Sequence, residues 1–233
     1  MKASMYAKTR GDAVSSDFLR TVSRADVLLH YGALVIVSAV MMMPFLWMLS
    51  TSLKEPAKIF TFPPELIPSP VRWANYTEVL EKTLFHLFYW NSLYIAATVT
   101  AGTVLFSSLA GYAFARIPFS GRNVVFLLLL STMMIPTEVT AIPMFLFMRE
   151  IGWINTHWPL IVLPIFGAGG VFGVFVMRQF FLGTPKELEE AAMIDGCSRM
   201  RIYWEIMMPL AKPAAATLTI FTFLTSWNDF FDP

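Results

Sequence analysis

The chain has 233 residues, a net charge of +1, 56% hydrophobic residues and only 14% charged ones. A soluble domain carries about 25% charged residues, and a water-facing globule cannot hide this much apolar surface, so the composition excludes a soluble enzyme, a disordered chain and a fibrous repeat. The near-neutral balance leaves no broad field for nucleic acid, and the single cysteine, Cys197, excludes an intrachain disulfide and a multi-cysteine metal site.

A helix that crosses the hydrocarbon core needs about 20 apolar residues. The spacing between charges predicts five spans, near 28–50, 89–114, 123–147, 157–180 and 210–231. No Asp, Glu, Lys or Arg occurs between Asp26 and Lys54, between Lys82 and Arg116, or between Glu150 and Arg178, and only Glu138 interrupts the run from Arg122 to Arg149. The first run is too long for a cleaved signal peptide and no small-residue cleavage site follows it, so it stays as the first helix. The fold class is all-α, a polytopic membrane helical bundle, with an N-terminal tail over 1–27 and a transmembrane domain over 28–233.

Placing the N-terminus in the cytoplasm puts twelve of the 17 Lys and Arg residues in inside segments, the bias expected of a membrane protein. The outside segment 51–88 then holds a Pro-rich stretch, Phe62 to Pro70, and a short interfacial helix from Trp73 to Leu84. In the third span, Glu138 just past Pro136 is read at the outer interface, the alternative being a carboxylate facing a cavity or partner. In the fourth, Gly167, Gly169, Gly170 and Gly173 with Pro159 and Pro164 predict close helix contact and a kink, Gly169 and Gly173 having the G-x-x-x-G spacing. Near the end of the fifth, Trp227 and Asn228 suit a sugar by stacking and hydrogen bonding, or equally an interfacial aromatic belt. His30, His86 and His157 follow no ligand spacing.

The inside loop 181–209 is the most structured polar region. Thr184, Pro185 and Glu187 fit a capping box, with Thr184 as N-cap, Pro185 as the first helical residue and Glu187 reaching back. Leu188, Ala191, Ala192 and Asp195 continue the helix, and Gly196 ends it in the left-handed conformation. Ser198 caps a second helix running to about Met208, before Pro209. The small Ala191-Ala192 face lets a partner approach closely. An amphipathic helix lying on the membrane surface is the competing reading.

The spacing Glu190-Ala191-Ala192, three residues, Gly196, nine residues, Ile206, one residue, Met208, Pro209 resembles the EAA loop of permease subunits of binding-protein-dependent ABC importers, which usually have Leu where this chain has Met208. Ala110 to Arg122, Asn75-Tyr76, Asn91-Ser92, the Met134–Pro136 and Ile142-Pro143 stretch and Ser226 to Phe230 resemble the sugar-type branch, closest to the maltose-type second permease subunit. The resemblance runs from about residue 44 to the end.

That resemblance implies a type I importer permease architecture, with five spans present of an expected six, the sixth lying beyond Pro233. It implies transport of a carbohydrate such as an oligosaccharide, a sugar or a glycerol-phosphate-like solute by alternating access. Glu190, Ala191, Ala192, Gly196, Ile206 and Pro209 would couple the chain to an ATPase, and Glu138, Trp227 and Asn228 would line the path. The implied partners are a second permease, two ATPase subunits, an extracytoplasmic solute-binding protein and the lipid bilayer, in a bacterial or archaeal cytoplasmic membrane. No Gly-Lys dipeptide occurs, hence no phosphate loop; ATP and Mg belong to the partner ATPase, and this chain binds no cofactor and no metal. An importer of a non-sugar solute shares the same loop. An ion-coupled secondary transporter would need paired intramembrane ionisable residues, of which only Glu138 is available.

Overall fold

The computed structural model describes residues 24–229. The tail residues Lys2, Lys8, Arg10 and Arg20, and Phe230 and Phe231 of the fifth span, lie outside the described residues. The described chain is helical, with no strand among the described residues. It divides into two compact units, residues 1–83 and 84–233.

In the first unit, α1 (Arg24–Ser52) is apolar and exposed on all sides, as lipid contact requires. A 3₁₀ turn (Pro56–Lys58), an extended Pro-rich stretch and a short helix, α2 (Ala74–Lys82), follow. Pro residues without N–H groups keep the stretch from closing into a helix, so its backbone is tied down by side chains. Asn75 Nδ2 donates to the carbonyls of Ser52 (2.9 Å) and Lys54 (2.8 Å), and Ser52 Oγ meets Tyr76 OH at 2.7 Å. Lys58 Nζ donates to Ser69 O at 2.7 Å. Lys54 is buried, its ammonium 4.4 Å from the centre of the Trp47 ring, a contact that offsets part of the cost of removing a charge from water. Glu78 holds both Arg72 (2.5 Å) and Lys82 (3.0 Å).

The second unit is built round α3 (Phe85–Arg116), whose 32 residues extend for about 48 Å at 1.5 Å per residue, longer than a hydrocarbon core of about 30 Å. Its buried residues Thr103, Ser107, Gly111 and Ala115 recur every four positions, a stripe of small side chains that lets other helices approach closely where apolar burial gives no drive in lipid. Against α3 pack α6 (Trp158–Phe166), α7 (Ala168–Gly183) and α11 (Lys212–Trp227). Ser107 Oγ donates to Gly170 O at 2.8 Å, and a Cβ on Gly173 would stand 2.5 Å from that same Oγ. Of the four glycines in this run, Gly170 and Gly173 are therefore the ones in close contact with α3. Gly169, the other half of the expected G-x-x-x-G pair, faces a cavity instead.

The third apolar run is not one straight span. It divides into α4 (Arg122–Ser131), a 3₁₀ turn (Thr132–Met134) and α5 (Thr137–Glu150), the two arms bent by 100°. Pro136 forces the extended backbone of Ile135 (φ −84°, ψ 116°) and withholds an N–H, so the helix stops there. The fourth run breaks at Gly167 but keeps one direction over Trp158–Gly183, whereas the chain bends by 76° between Leu210 and Lys212 before the last helix. Among the described residues, three helices are long and apolar enough to cross a membrane, or five when each bent pair counts as one span.

Candidate functional site: the loop helices and the aromatic-end cavity

The second unit has two unlike ends. At one, Tyr89 of α3 meets Trp227 of α11 edge to face at 5.6 Å, and Tyr94 meets His157 at 6.1 Å. At the other, Arg116 ends α3, Thr184 follows α7, and the polar loop folds up. We call these the aromatic end and the loop end.

The loop folds as α8 (Glu187–Ile194), α9 (Arg199–Ile202), a π-helical turn (Tyr203–Met207) and α10 (Met208–Leu210). Its entry differs from the expected capping box. Lys186 is the N-cap and makes no side-chain cap bond, because Thr184 belongs to the end of α7, where its hydroxyl donates to Phe180 O at 3.2 Å. The turn between the helices follows from residue chemistry. Gly196 has φ +82°, a region where a Cβ is strained, and Ser198 Oγ accepts from Arg201 N at 3.3 Å, a cap bond that contributes about 1 kcal/mol.

One face of the loop is welded to the bundle. Ala192, Ile202, Tyr203 and Met207 are buried with Tyr112 and Ala115 of α3, Met177 and Phe181 of α7, and Leu218 of α11. Tyr203 OH lies 2.6 Å from Ser108 Oγ, and since that hydroxyl donates to Leu105 O at 2.9 Å, the phenol supplies the proton. Below this cluster sits a buried ion pair. Arg116 Nε lies 2.9 Å from Glu189 Oε1, the two side chains 4% and 6% exposed. The N–H does not point along the contact, so the attraction is electrostatic rather than a directed hydrogen bond. Tyr112 OH donates to Glu189 Oε2 at 3.2 Å, and Arg116 Nη2 donates to Thr184 O.

The other face is free. Glu190, Ala191, Gly196 and Pro209 are exposed, and Ile194 is 86% exposed. The six residues singled out in the loop thus divide: Ala192 is buried and Ile206 half-buried against the bundle, while the other four face outward. Ala191 and Ala192 do not form one small face, because successive helical residues point about 100° apart. Sequence reasoning missed Arg116, Glu189, Tyr112 and Tyr203. The signal for Glu189 was its i,i+3 relation to Ala192, which puts the two on one helix face.

At the aromatic end a cavity of about 300 Å³ opens between α3, α6, α7 and α11. Its polar lining is Ser92, Thr222, Thr225, Ser226 and Asp229, and its aromatic lining is Phe172, Phe221 and Trp227. Trp227 is half-buried and stacks on Phe223 at 5.8 Å. Asn228 is not a lining residue; its amide donates to Leu224 O at 2.7 Å and closes the end of α11. Glu138 is exposed in the first turn of α5 and is not among the lining residues either. A carboxylate there complements the helix N-terminus.

Residues 103–231 match the family described as binding-protein-dependent transport system inner membrane component. The arabinooligosaccharides transport system permease protein AraQ of Halalkalibacterium halodurans is 40% identical over 171 residues, 71% of this chain and 59% of that protein. The trehalose/maltose transport system permease protein MalG of Thermococcus litoralis is 33% identical over 88% of this chain and 73% of its own length. A bacterial ABC transporter involved in the import of the acidic polysaccharide alginate contains a chain of similar structure, with a TM-score of 0.75 and 27% identity over 90% of this chain and 74% of that one. The matched part of this chain thus spans less than two thirds of the arabinooligosaccharide relative.

Proposed function

The chain belongs to the family of binding-protein-dependent transport system inner membrane components, and from that premise we propose that it is a permease subunit of an ATP-driven importer of a carbohydrate. The observation that carries the reading is the division of the loop into a face welded to the bundle and an exposed face bearing Glu190, Ala191, Ile194 and Gly196. An exposed Ile on a short helix rich in acidic residues suits a groove on a partner protein better than water. The partner is an ATPase subunit, which holds the ATP and Mg that this chain has no motif to bind. Closure of two such subunits pushes the loop, and the helices that share its buried face rock between inward- and outward-facing states.

The loop end carries Arg116, Arg122, Arg178, Lys186, Arg199 and Arg201, which supports a cytoplasmic loop and, with it, a cytoplasmic N-terminus. The solute passes from an extracytoplasmic binding protein into a path shared with a second permease. The aromatic-end cavity is this chain's share of that path, its hydroxyls and the Trp227 ring suited to a hydroxylated solute. The names of the relatives support a carbohydrate.

The test is purification of the full-length protein from its native membranes in mild detergent, with the associated proteins identified by mass spectrometry. Recovery of an ATPase, a second permease and a solute-binding protein is expected, and the ligand of that binding protein then names the solute. Recovery of this chain without an ATPase would overturn the reading.

A further inference from the structure

The buried charges at the loop end do not line the aromatic-end cavity, and stability alone does not call for them. Removing a carboxylate and a guanidinium from water costs several kcal/mol, and a well-packed apolar pair is often as stable or more so. What the ion pair and the two hydrogen bonds beside it add is direction, supplied by the hydrogen bonds. Glu189 projects from α8, Arg116 from the last turn of α3, and the same guanidinium reaches the carbonyl of Thr184 at the junction of α7 and α8. Tyr112, one helical turn before Arg116, donates to the second carboxylate oxygen. The end of α3, α8 and the junction between α7 and α8 are therefore fixed by one charged knot. On the opposite side of α8 from Glu189 and Ala192 stand the exposed Glu190, Ala191 and Ile194.

We infer that Arg116 and Glu189 are positioning residues that lock α8 onto the end of α3, so that a push on the exposed face of α8 turns the long α3 as one lever. The inference rests on the coupling role proposed above. It assigns the load-carrying contact to Glu189, on the hidden face, rather than to its neighbour Glu190. Apolar contacts alone allow α8 to slide and rotate, because they are non-directional; the ion pair with its two flanking hydrogen bonds removes that freedom.

Cys197 reports on this contact without engineering. It is the only cysteine of the chain, half-buried directly after Gly196. The complete complex in inside-out vesicles is treated with fluorescein maleimide, and the labelling rate of Cys197 is read from the band of this chain. Glu189→Gln and Arg116→Gln are each expected to raise the rate at least fivefold, and the double variant no further than the larger single effect, the signature of one shared interaction. Unchanged rates, or effects that multiply, would overturn the inference.

The second readout is the change in labelling rate when ATP and vanadate are added. The wild type is expected to respond and Glu189→Gln to lose the response while the ATPase co-purifies at wild-type yield. A retained response would sink the lever. Where Glu189→Gln fails to accumulate, Tyr112→Phe removes one hydrogen bond without stranding a charge, and a two- to threefold rise is expected; no rise overturns the inference. If the wild type recovers no ATPase, the coupling reading itself fails, and the labelling rates without nucleotide still test the lock.

Discussion

Gly111 of α3 and Met177 of α7 touch backbone to side chain: a Cβ on Gly111 would stand 2.8 Å from the Met177 Cβ and 2.9 Å from the backbone nitrogen of Arg178. Met177 is fully buried there, so neither neighbour can yield. The two helices cross at this point as closely as two backbones allow, and the loop cluster is stacked beside the crossing. Gly111→Ala is expected to destabilise the second unit by about 1–3 kcal/mol, the usual cost of overpacking, seen as a lower midpoint of thermal aggregation in detergent. Gly32→Ala meets open space and serves as the control. Equal midpoints for the two variants would contradict the close crossing.

Gly196 separates a backbone requirement from a steric one. Nothing lies within 4 Å of a Cβ placed there, yet φ is +82°. Gly196→Asp therefore meets no clash, and its cost is conformational, about 1–2 kcal/mol for a residue held left-handed. The complex is expected to fold, with the yield of co-purified ATPase reduced about tenfold as the turn rearranges. Undiminished ATPase recovery and coupling would remove Gly196 from the docking surface.

The cavity lining and the exposed carboxylate of α5 give opposite expectations. Trp227→Ala deletes the ring that stacks on Phe223 and meets Tyr89, and solute uptake is expected to fall at least fivefold at unchanged expression. Glu138→Gln is expected to leave uptake unchanged, since Glu138 is exposed and outside the lining. Both are read with the solute that the associated binding protein carries. The reverse pattern would move the path to α5.

Glu78 makes the segment between α1 and α2 sensitive to acid. Hydrogen bonds from Lys82 and then Arg72 hold the Glu78 carboxyl below its ordinary value of 4.5. A depressed acid contributes stability that is fully present above its unfolded pKa and is lost as pH falls through the folded one. The segment between α1 and α2 is therefore expected to keep its protease resistance at pH values above 4.5 and to become modestly more sensitive as pH falls through the lower folded value. Glu78→Gln should remove that acid step while adding a constant sensitivity at neutral pH. An acid step that persists in Glu78→Gln would assign it to another group.

Much of the architecture was legible because membrane spans and turns are local problems. Charge spacing located the apolar runs that became α1, α3 and the pair α6–α7, since a charge in lipid is costly wherever the chain folds. Gly196 and Ser198 were legible for the same reason: a left-handed residue and an N-cap are decided within a few residues. The errors were also local in form but tertiary in cause. Thr184 carries capping chemistry, yet the carbonyl of Phe180 lies nearer to its hydroxyl than the start of α8. Pro136 was noticed, but the 100° bend at that break was not.

The sequence by itself determined that this chain is an all-helical membrane protein and where its polar loop turns. Those follow from side-chain transfer energies and short-range backbone geometry, which do not depend on distant residues. Only the tertiary structure decided which of two adjacent glutamates is hidden and which is presented. Arg116 and Glu189 are 73 residues apart in the chain yet 2.9 Å apart in space, and a pairing over that separation exists only once α3 and α7 have packed side by side and brought the end of one to the end of the other.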